Sequence, residues 1–498
     1  MSSAKKYSPS NPKKLRDVNN WDITTDVAVV GFGGAGACAA LEASATGANV
    51  GIFELASTYG GSTALSSAEI YMGGSGGTRV QQACGYMDDS EDMYNYMMMA
   101  SGPQADANKV RAYVDGSAAH FDWLVEKGVP YKNSEYKERA IMAMTDDCIL
   151  YTGSEKAWPY VVAAKPCPRG HNVAVEGDNG GPLLMKILSS KVAEQQNIEV
   201  YYDTRVICLI KDDDNVVHGL VIRRDQQELN VKTGQGVILC AGGFVMNDDM
   251  LQKYAPALLK ANTKLGNPGD TGAGIQMGMS VGGAAINMHE GFVTMPYYPP
   301  ASLTKGILIN AQGQRFINED CYHGRVGHHV LQQQGDRVYL IFNADDFGEY
   351  QKVSYLNADI AGTGDTIAEL EQELDFVKGS LQQTVEFYNS HASQGNDPKF
   401  HKSAEWLCAI EPPYAALDCT PGRGAFFPYF TLGGLDTKPT GEVVDSDGNV
   451  IPGLYAAGRT TAGICRTGSG YSSGMSVGDA TYFGRLAGIS AATVSKRE

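Results

Sequence analysis

The residues with the clearest chemical use lie at one turn near the start of the chain. Gly31-Phe32-Gly33-Gly34-Ala35-Gly36 fits the pattern G-x-G-x-x-G. In such a turn the first glycine permits a tight bend and the second lets the backbone approach a pyrophosphate. The third lets helix and strand pack closely. The helix that follows points free N–H groups and a partial positive charge at the phosphates. Glu54 ends the next apolar run, about 20 residues on, where a carboxylate can accept both hydroxyls of a ribose. The combination points to a bound dinucleotide rather than to an ordinary tight turn.

Three further segments narrow the dinucleotide to FAD. Gly60-Gly61-Ser62-Thr63 follows Glu54, where flavoproteins pass the chain beneath pyrophosphate and flavin. Residues 237–243 (VILCAGG), which include Ala241 and Gly242, resemble the second strand-to-glycine motif of such proteins. Residues 453–458 (GLYAAG), ending in Gly458, resemble the C-terminal motif that reaches the ribityl chain. No second G-x-G-x-x-G is present. A dedicated NAD(P)H domain is therefore not expected, and electrons should pass between a substrate and an external acceptor.

These motifs need an α/β frame. Residues 26–31 predict a buried strand, 36–46 a helix of small residues, and 48–54 the next strand. Residues 106–127 place Val110, Val114, Phe121, Leu124 and Val125 at helical spacing, after a Met- and Tyr-rich run at 86–99 read as core packing. Residues 182–195 predict another helix. Residues 198–240 read as the strands IEVYY, RVICLI, VVHGLVI, QELNV and GVILCA, with a hairpin turn at 212–215. A strand at 338–343 and helical segments within 367–390 lie in a stretch without nucleotide-type glycine loops, and a helix over 474–489 closes the chain. The expected fold class is α/β: a Rossmann-like FAD-binding domain (26–278 plus 421–498) with an inserted α+β substrate or cap domain (279–420). Residues 1–25 read as a flexible polar arm.

Composition sets the remaining bounds. The formal net charge is −16, which argues against a nucleic-acid partner. No apolar run of about 18 residues predicts a membrane span, and the N-terminus lacks the apolar run of a signal peptide. Ten Cys are scattered without a C-x-x-C pair, as in a reducing compartment. A cytoplasmic location is expected. His323, His328 and His329 have no carboxylate or Cys at ligand spacing, so no metal is expected and surface or interdomain roles are.

With these motifs in place, nearly the whole chain after residue 25 resembles the flavoproteins of the fumarate reductase and 3-ketosteroid dehydrogenase group. In fumarate reductases a catalytic Arg follows Phe-x-Asn-Glu. Here Phe316-Ile-Asn318-Glu319 is followed by Asp-Cys-Tyr322-His323-Gly-Arg325, so the segment offers Tyr322 and His323. Their substrate-binding Arg and His fall at Tyr471 and near Pro428. A site that has exchanged a dicarboxylate clamp for Tyr and Pro should bind fumarate poorly. Tyr322, the segment Tyr471-Ser-Ser473-Gly474 and Gly458-Arg459-Thr-Thr instead resemble the 3-ketosteroid Δ4-(5α)-dehydrogenases. No His follows the Gly60–Thr63 segment where some relatives carry one, so the resemblance implies non-covalent FAD. It also implies cofactor contacts at Asp270, Arg459, Ser473, Gly474 and Met475.

The implied reaction removes two hydrogens beside a cyclic ketone, expected to be that of a steroid: a proton from the α carbon and a hydride from the β carbon to flavin N5. Tyr471 is the expected base, paired with Tyr322, and Ser473 is the expected hydrogen-bond donor to either oxygen. A free Tyr titrates at about 10, and the positive end of the final helix is expected to favour its phenolate. Backbone N–H groups at the same helix start are expected to hold the ketone oxygen. The competing expectations are a Δ1-type ketosteroid dehydrogenase, an enone, acrylate or fumarate-type reductase, and a flavin-binding redox sensor without turnover.

Overall fold

The computed structural model describes residues 8–497. The expected opening is present as β1 (Ile23–Val30), α1 (Gly34–Ala45) and β2 (Val50–Phe53), with β1 and β2 parallel and every residue from Thr25 to Val30 buried. Such a run, apolar on both faces, is what a strand covered on both sides requires. The strand β3 (Ile198–Tyr201) extends this parallel sheet beyond β2 and so stands apart from the meander with which IEVYY was grouped.

The meander itself is β4 (Arg205–Lys211), β5 (Val217–Arg224) and β6 (Gln227–Leu239). The two expected strands QELNV and GVILCA are one. β6 runs 13 residues, pairs antiparallel with β5 at its start and parallel with β1 along its length, and absorbs the Thr233–Gly236 stretch as a register shift. A bulge lets one strand serve two ladders without breaking. β7 (Val450–Ala456) lies parallel to the end of β6, and among the described residues the main sheet has nine strands.

The segment expected to be a flexible arm is, from residue 8 on, laid against this sheet; residues 1–7 lie outside the described residues. Lys13–Lys14 pairs parallel with β4, Leu15, Val18 and Trp21 pack on Ile207, Cys208, Ile210 and Val221, and the Lys13 ammonium donates to Asn230 at 2.8 Å. Three spaced apolar side chains suffice to dock the arm on an exposed edge.

A four-stranded antiparallel sheet lies within residues 307–418, backed by the helices Ile367–Glu373 and Ser380–Ala392. The chain entering and leaving this part is paired: Gly291–Val293 runs antiparallel to Pro428–Thr431, and Ala285–Ile286 to Gly434–Leu435. Two helices then matter for the site. α2 (His323–Leu331) starts immediately after Tyr322, and α3 (Met475–Thr493) starts after Gly474. α3 lies directly on α1. A Cβ added at Gly484 or Gly488 would come within 2.5 Å and 2.2 Å of the Ala35 and Ala39 carbonyl oxygens. Small residues on both helices are what let the backbones approach so closely.

Candidate active site

A cavity of about 690 Å³ runs from the turn after β1 to the starts of α2 and α3. Its walls include Gly31, Gly33, Gly34, Ala35, Glu54, Gly61, Ser62, Thr63, Ala241, Gly242, Asp270 and Gly458 at one end, Tyr322, Tyr471, Ser473 and Gly474 at the other, and Arg459 between them, its guanidinium over the Phe430 ring. Gly31 has φ +104°, and a Cβ there would sit 2.5 Å from the Cys240 carbonyl oxygen. A Cβ at Gly33 would meet only ordinary van der Waals contacts, the nearest at 3.7 Å. The turn therefore needs glycine for its shape at the first position and keeps a bare backbone toward the cavity at the second. Gly36 does not line the cavity. A Cβ there would lie 2.0 Å from the Gly31 carbonyl oxygen, so this glycine sets the approach of α1 to β1.

Polar side chains complete the cradle. Glu54 Oε2 accepts from the Phe32 N–H at 2.6 Å and Oε1 from the Ala56 N–H at 2.8 Å, which fixes the carboxylate at the end of β2. The Ser62 hydroxyl donates to Asp270 at 2.6 Å, and the Arg459 guanidinium pairs with the same carboxylate at 2.5 Å. Ser62, Asp270 and Arg459 come from three distant segments and close the floor between them. An extended cavity with glycine walls, a pinned ribose-type carboxylate and a helix N-terminus fits FAD. Met475 is different from expectation: its side chain is in the core and its N–H is spent on the Ser472 carbonyl at 3.2 Å, so it offers the cavity no group.

At the other end the three expected catalytic side chains meet. The Tyr322 and Ser473 hydroxyls are 2.7 Å apart. The Tyr471 hydroxyl accepts from the Ser476 N–H at 3.4 Å, inside the first turn of α3. Phe292 packs against both tyrosines, with ring centroids 4.5 Å from Tyr471 and 6.3 Å from Tyr322. Ser473 is held by both of its backbone groups: its N–H donates to the Thr152 carbonyl at 2.8 Å and its carbonyl accepts from the Thr152 hydroxyl at 2.9 Å.

The electrostatics correct one expectation. Burial pushes the Tyr471 phenol up to about 12, and the bonds from Ser476 at the helix start pull it back only in part. Burial also holds Tyr322 well above 10; Ser473 lowers it, while Tyr471 and the buried Glu69 raise it again. The helix end therefore tempers the burial of Tyr471 and does not by itself produce a phenolate.

Several wall residues carry no motif in the sequence. Glu69 is buried in the wall. Phe292, Thr294, Phe430 and Pro428 line the same end, so Pro428, near which the fumarate-group His was expected to fall, is an apolar part of the cavity. His323, expected at a surface or interface, is buried against the cavity. His328 and His329 are half-buried, His328 against Gln332 and His329 against Ser469. Among the described residues no group of three or more His, Cys, Asp or Glu side chains is placed to hold a metal, and no helix is long and apolar enough to cross a membrane.

A parallel sheet with a glycine-walled dinucleotide cradle, opening onto a buried pair of tyrosines, defines a flavin-dependent oxidoreductase. The chain belongs to the FAD binding domain family, which matches residues 26–474. Its cofactor is FAD, and it is an FAD-dependent oxidoreductase of the kind that acts on CH–CH groups. It is similar to the 3-ketosteroid-Δ4-(5α)-dehydrogenase of Rhodococcus jostii RHA1, solved in complex with 4-androstene-3,17-dione. The two share 39% identity and a TM-score of 0.91, covering 97% of this chain and 100% of that one. It is 26% identical to the 3-oxo-5-alpha-steroid 4-dehydrogenase of Comamonas testosteroni, over 92% of this chain and 98% of the relative. It is 29% identical to a fumarate reductase (cytochrome) of Shewanella frigidimarina, over 95% of this chain and 78% of the relative.

Proposed function

We propose that this protein is a 3-ketosteroid Δ4-(5α)-dehydrogenase, oxidising a saturated 5α-3-ketosteroid to the Δ4 enone. The observation that carries the reading is the meeting of Tyr322, Tyr471 and Ser473 in an aromatic cavity end, where the fumarate-group cations are replaced by Tyr471 and Pro428. The likeness to the Rhodococcus enzyme, whose ligand is a steroid 3,17-dione, supports it. Residues 279–420 form the cap over the ligand in this reading.

Tyr471 removes the proton α to the ketone. Tyr322 and Ser473 form the second hydroxyl pair facing the same space. The enolate oxygen needs donors that do not have to reorganise. At the start of α3 the Met475 and Ser476 amides are already engaged, which leaves the Gly474 amide to face that oxygen. The glycine turn, Glu54, Ser62, Asp270 and Arg459 would hold FAD non-covalently, and bound there it would supply the hydride acceptor for the β carbon, with an external acceptor to reoxidise it. The steroid ring system packs on Phe292 and Phe430, and closing around it excludes water.

The test is anaerobic mixing of the yellow protein with 5α-androstane-3,17-dione while flavin absorbance is followed. Bleaching with recovery of the Δ4 enone is the expected outcome. Recovery of a Δ1 product instead would replace the regiochemistry, and no bleaching at normal flavin content would sink the reading. The pH profile carries a second expectation. A base whose conjugate acid titrates at about 12 is mostly protonated at neutral pH. Its active fraction then rises about tenfold per pH unit, so kcat/KM should climb without a plateau through pH 9. A plateau reached by pH 7 would show that a different group is the base.

A further inference from the structure

The cavity continues away from the two tyrosines along a pair of extended segments. On one, Phe292, Thr294 and Pro296 line it and the residues between them do not. On the other, Phe426, Pro428 and Phe430 do the same. Side chains alternate along extended chain, so each segment turns one face to the ligand. The two are held side by side: Phe292 pairs with Phe430, and the Thr294 N–H donates to the Pro428 carbonyl at 3.0 Å. Phe292 and Phe430 pack on Tyr471, with ring centroids 4.5 and 5.5 Å away, so this end is the reacting one. The segments run antiparallel, and the steps from Phe292 to Pro296 and from Phe430 to Phe426 therefore lead the same way. Four residues of extended chain cover about 13 Å, roughly the reach of a fused four-ring skeleton.

Two segments from elsewhere in the chain close the far end. The Arg139 guanidinium lies over the Tyr298 ring at 4.2 Å, which brings Ile141 and Met142 to the wall near Pro296. The Phe426 N–H donates to the Leu356 carbonyl at 2.7 Å, which brings Tyr355 to the wall beside Phe426. The two segments touch where the Tyr355 hydroxyl donates to Met144 Sδ at 3.6 Å. On Ile141, Met142, Pro296, Tyr355 and Phe426 that hydroxyl is the only side-chain hydrogen-bond donor. The nearby Arg139 guanidinium is spent on the Asp320 and Cys321 carbonyls, at 3.0 and 2.9 Å. Ile141, Met142, Tyr355 and Phe426 are half-buried, so apolar surface at this end still meets water. A hydrocarbon group laid on it gains by removing that water, and a carbonyl oxygen laid on it loses its own bonds to water without replacement.

We propose that this end is a pocket for a hydrocarbon substituent on the last ring, so that saturated 3-ketosteroids with an aliphatic group at C17 are preferred to those with an oxygen there. This deepens the Δ4 reading and rests on it. Tyr471 and Tyr322 hold the 3-oxo ring at one end of the track, and the length of the track brings the opposite ring to Ile141, Met142, Tyr355 and Phe426. The 17-oxo compound is still oxidised, but with lower affinity.

The experiment compares 5α-pregnan-3-one, which carries an ethyl group at C17, with 5α-androstane-3,17-dione on the FAD-loaded wild type, Met142→Gln and Met142→Leu. The wild type should favour the ethyl compound in kcat/KM by about tenfold, most of it in KM. Met142→Gln sets an amide donor in the same wall, and the preference should fall by about threefold or more. Met142→Leu keeps the wall apolar and should keep the preference. If Met142→Gln does not hold flavin, Ile141→Gln reads the same wall. A wild type that takes both ketones equally well or favours the dione, or a preference unchanged in the glutamine variant, overturns the pocket and leaves the Δ4 reading standing. A wild type that oxidises neither ketone overturns the Δ4 reading, and the pocket falls with it.

Discussion

Tyr471→Phe is expected to lower the rate of flavin bleaching by a saturated 3-ketosteroid by about 10²–10⁴-fold, the range over which a positioned acid or base acts. The flavin content should be that of the wild type. The ring of Tyr471 is packed on Phe292 at 4.5 Å and Phe430 at 5.5 Å, and a phenylalanine keeps both contacts. What is lost is one oxygen, the acceptor of the Ser476 N–H. That amide belongs to the first turn of α3, where a lost partner costs about 1 kcal/mol and leaves the helix in place. Ligand affinity, read from equilibrium perturbation of the flavin spectrum, should change little, so the loss should appear in the chemical step. Tyr322→Phe removes the partner of Ser473 and provides the comparison. A Tyr471→Phe rate within threefold of wild type would remove Tyr471 from the chemistry and turn attention to Tyr322.

The second large effect is on stability, and it comes from the Phe-Ile-Asn-Glu segment that precedes Tyr322. The Arg315 guanidinium donates to both oxygens of Glu319, at 3.1 and 2.8 Å, and to both of Asp397, each at 3.1 Å. The Lys402 ammonium lies 3.3 Å from Glu319, and the Leu308 N–H donates to the same carboxylate at 2.9 Å. All four side chains are almost completely buried. Arg315→Met would leave two buried carboxylates facing a single ammonium, and the expected loss is about 3–5 kcal/mol. A urea titration followed by fluorescence reads it, and a loss under 1 kcal/mol would show that the cluster relaxes without cost.

The same cluster predicts acid sensitivity. Burial alone would raise the Glu319 carboxyl; Arg315 and then Lys402 overcome it and pull the group below its ordinary value of 4.5. Asp397 is held low against burial by Arg315 in the same way. A carboxyl depressed in the folded state contributes its full stability above the unfolded value and loses it as pH falls through the folded value. Unfolding of this part should therefore set in below about pH 4.5, and Arg315→Met should move the onset upward.

The nucleotide half was legible because each of its features is local. Val27–Val30 is an uninterrupted apolar run, the glycines of the following turn have single-residue geometric reasons, and Glu54 is tied to them by spacing alone. Tyr322, Tyr471 and Ser473 could be named only through the resemblance, since nothing in their own neighbourhoods marks residues 322 and 473 as partners. The arm from residue 8 was misread because Leu15, Val18 and Trp21 are too sparse to form a periodic pattern and gain their partners only on the sheet edge. β6 was divided at Thr233-Gly234-Gln235 because polar residues and a glycine read as a break, whereas here they form the bulge between two ladders. Met475 was expected through the resemblance, but its amide is used within the turn itself. For His323 a surface or an interdomain role stayed open because no ligand spacing marks it, and the packing of Tyr298, Tyr322 and Thr294 around it removes the surface alternative.

Tyr322 and Gly474 are the residues that cap α2 and α3, so two helices begin at the same end of one cavity. Each contributes a fraction of a positive charge there. Phe292, Phe430, Pro428, Tyr322 and Tyr471 supply the surrounding wall. Charge that develops on a ligand during reaction can be stabilised by these fixed dipoles, while the Arg459 guanidinium in the same wall is already paired with Asp270, so an uncharged ligand forms no ion pair on entering. Affinity should then be nearly independent of ionic strength with sodium chloride and should tighten in sulfate, as hydrophobic association does. In a site built around an arginine clamp the same salts would loosen the ligand.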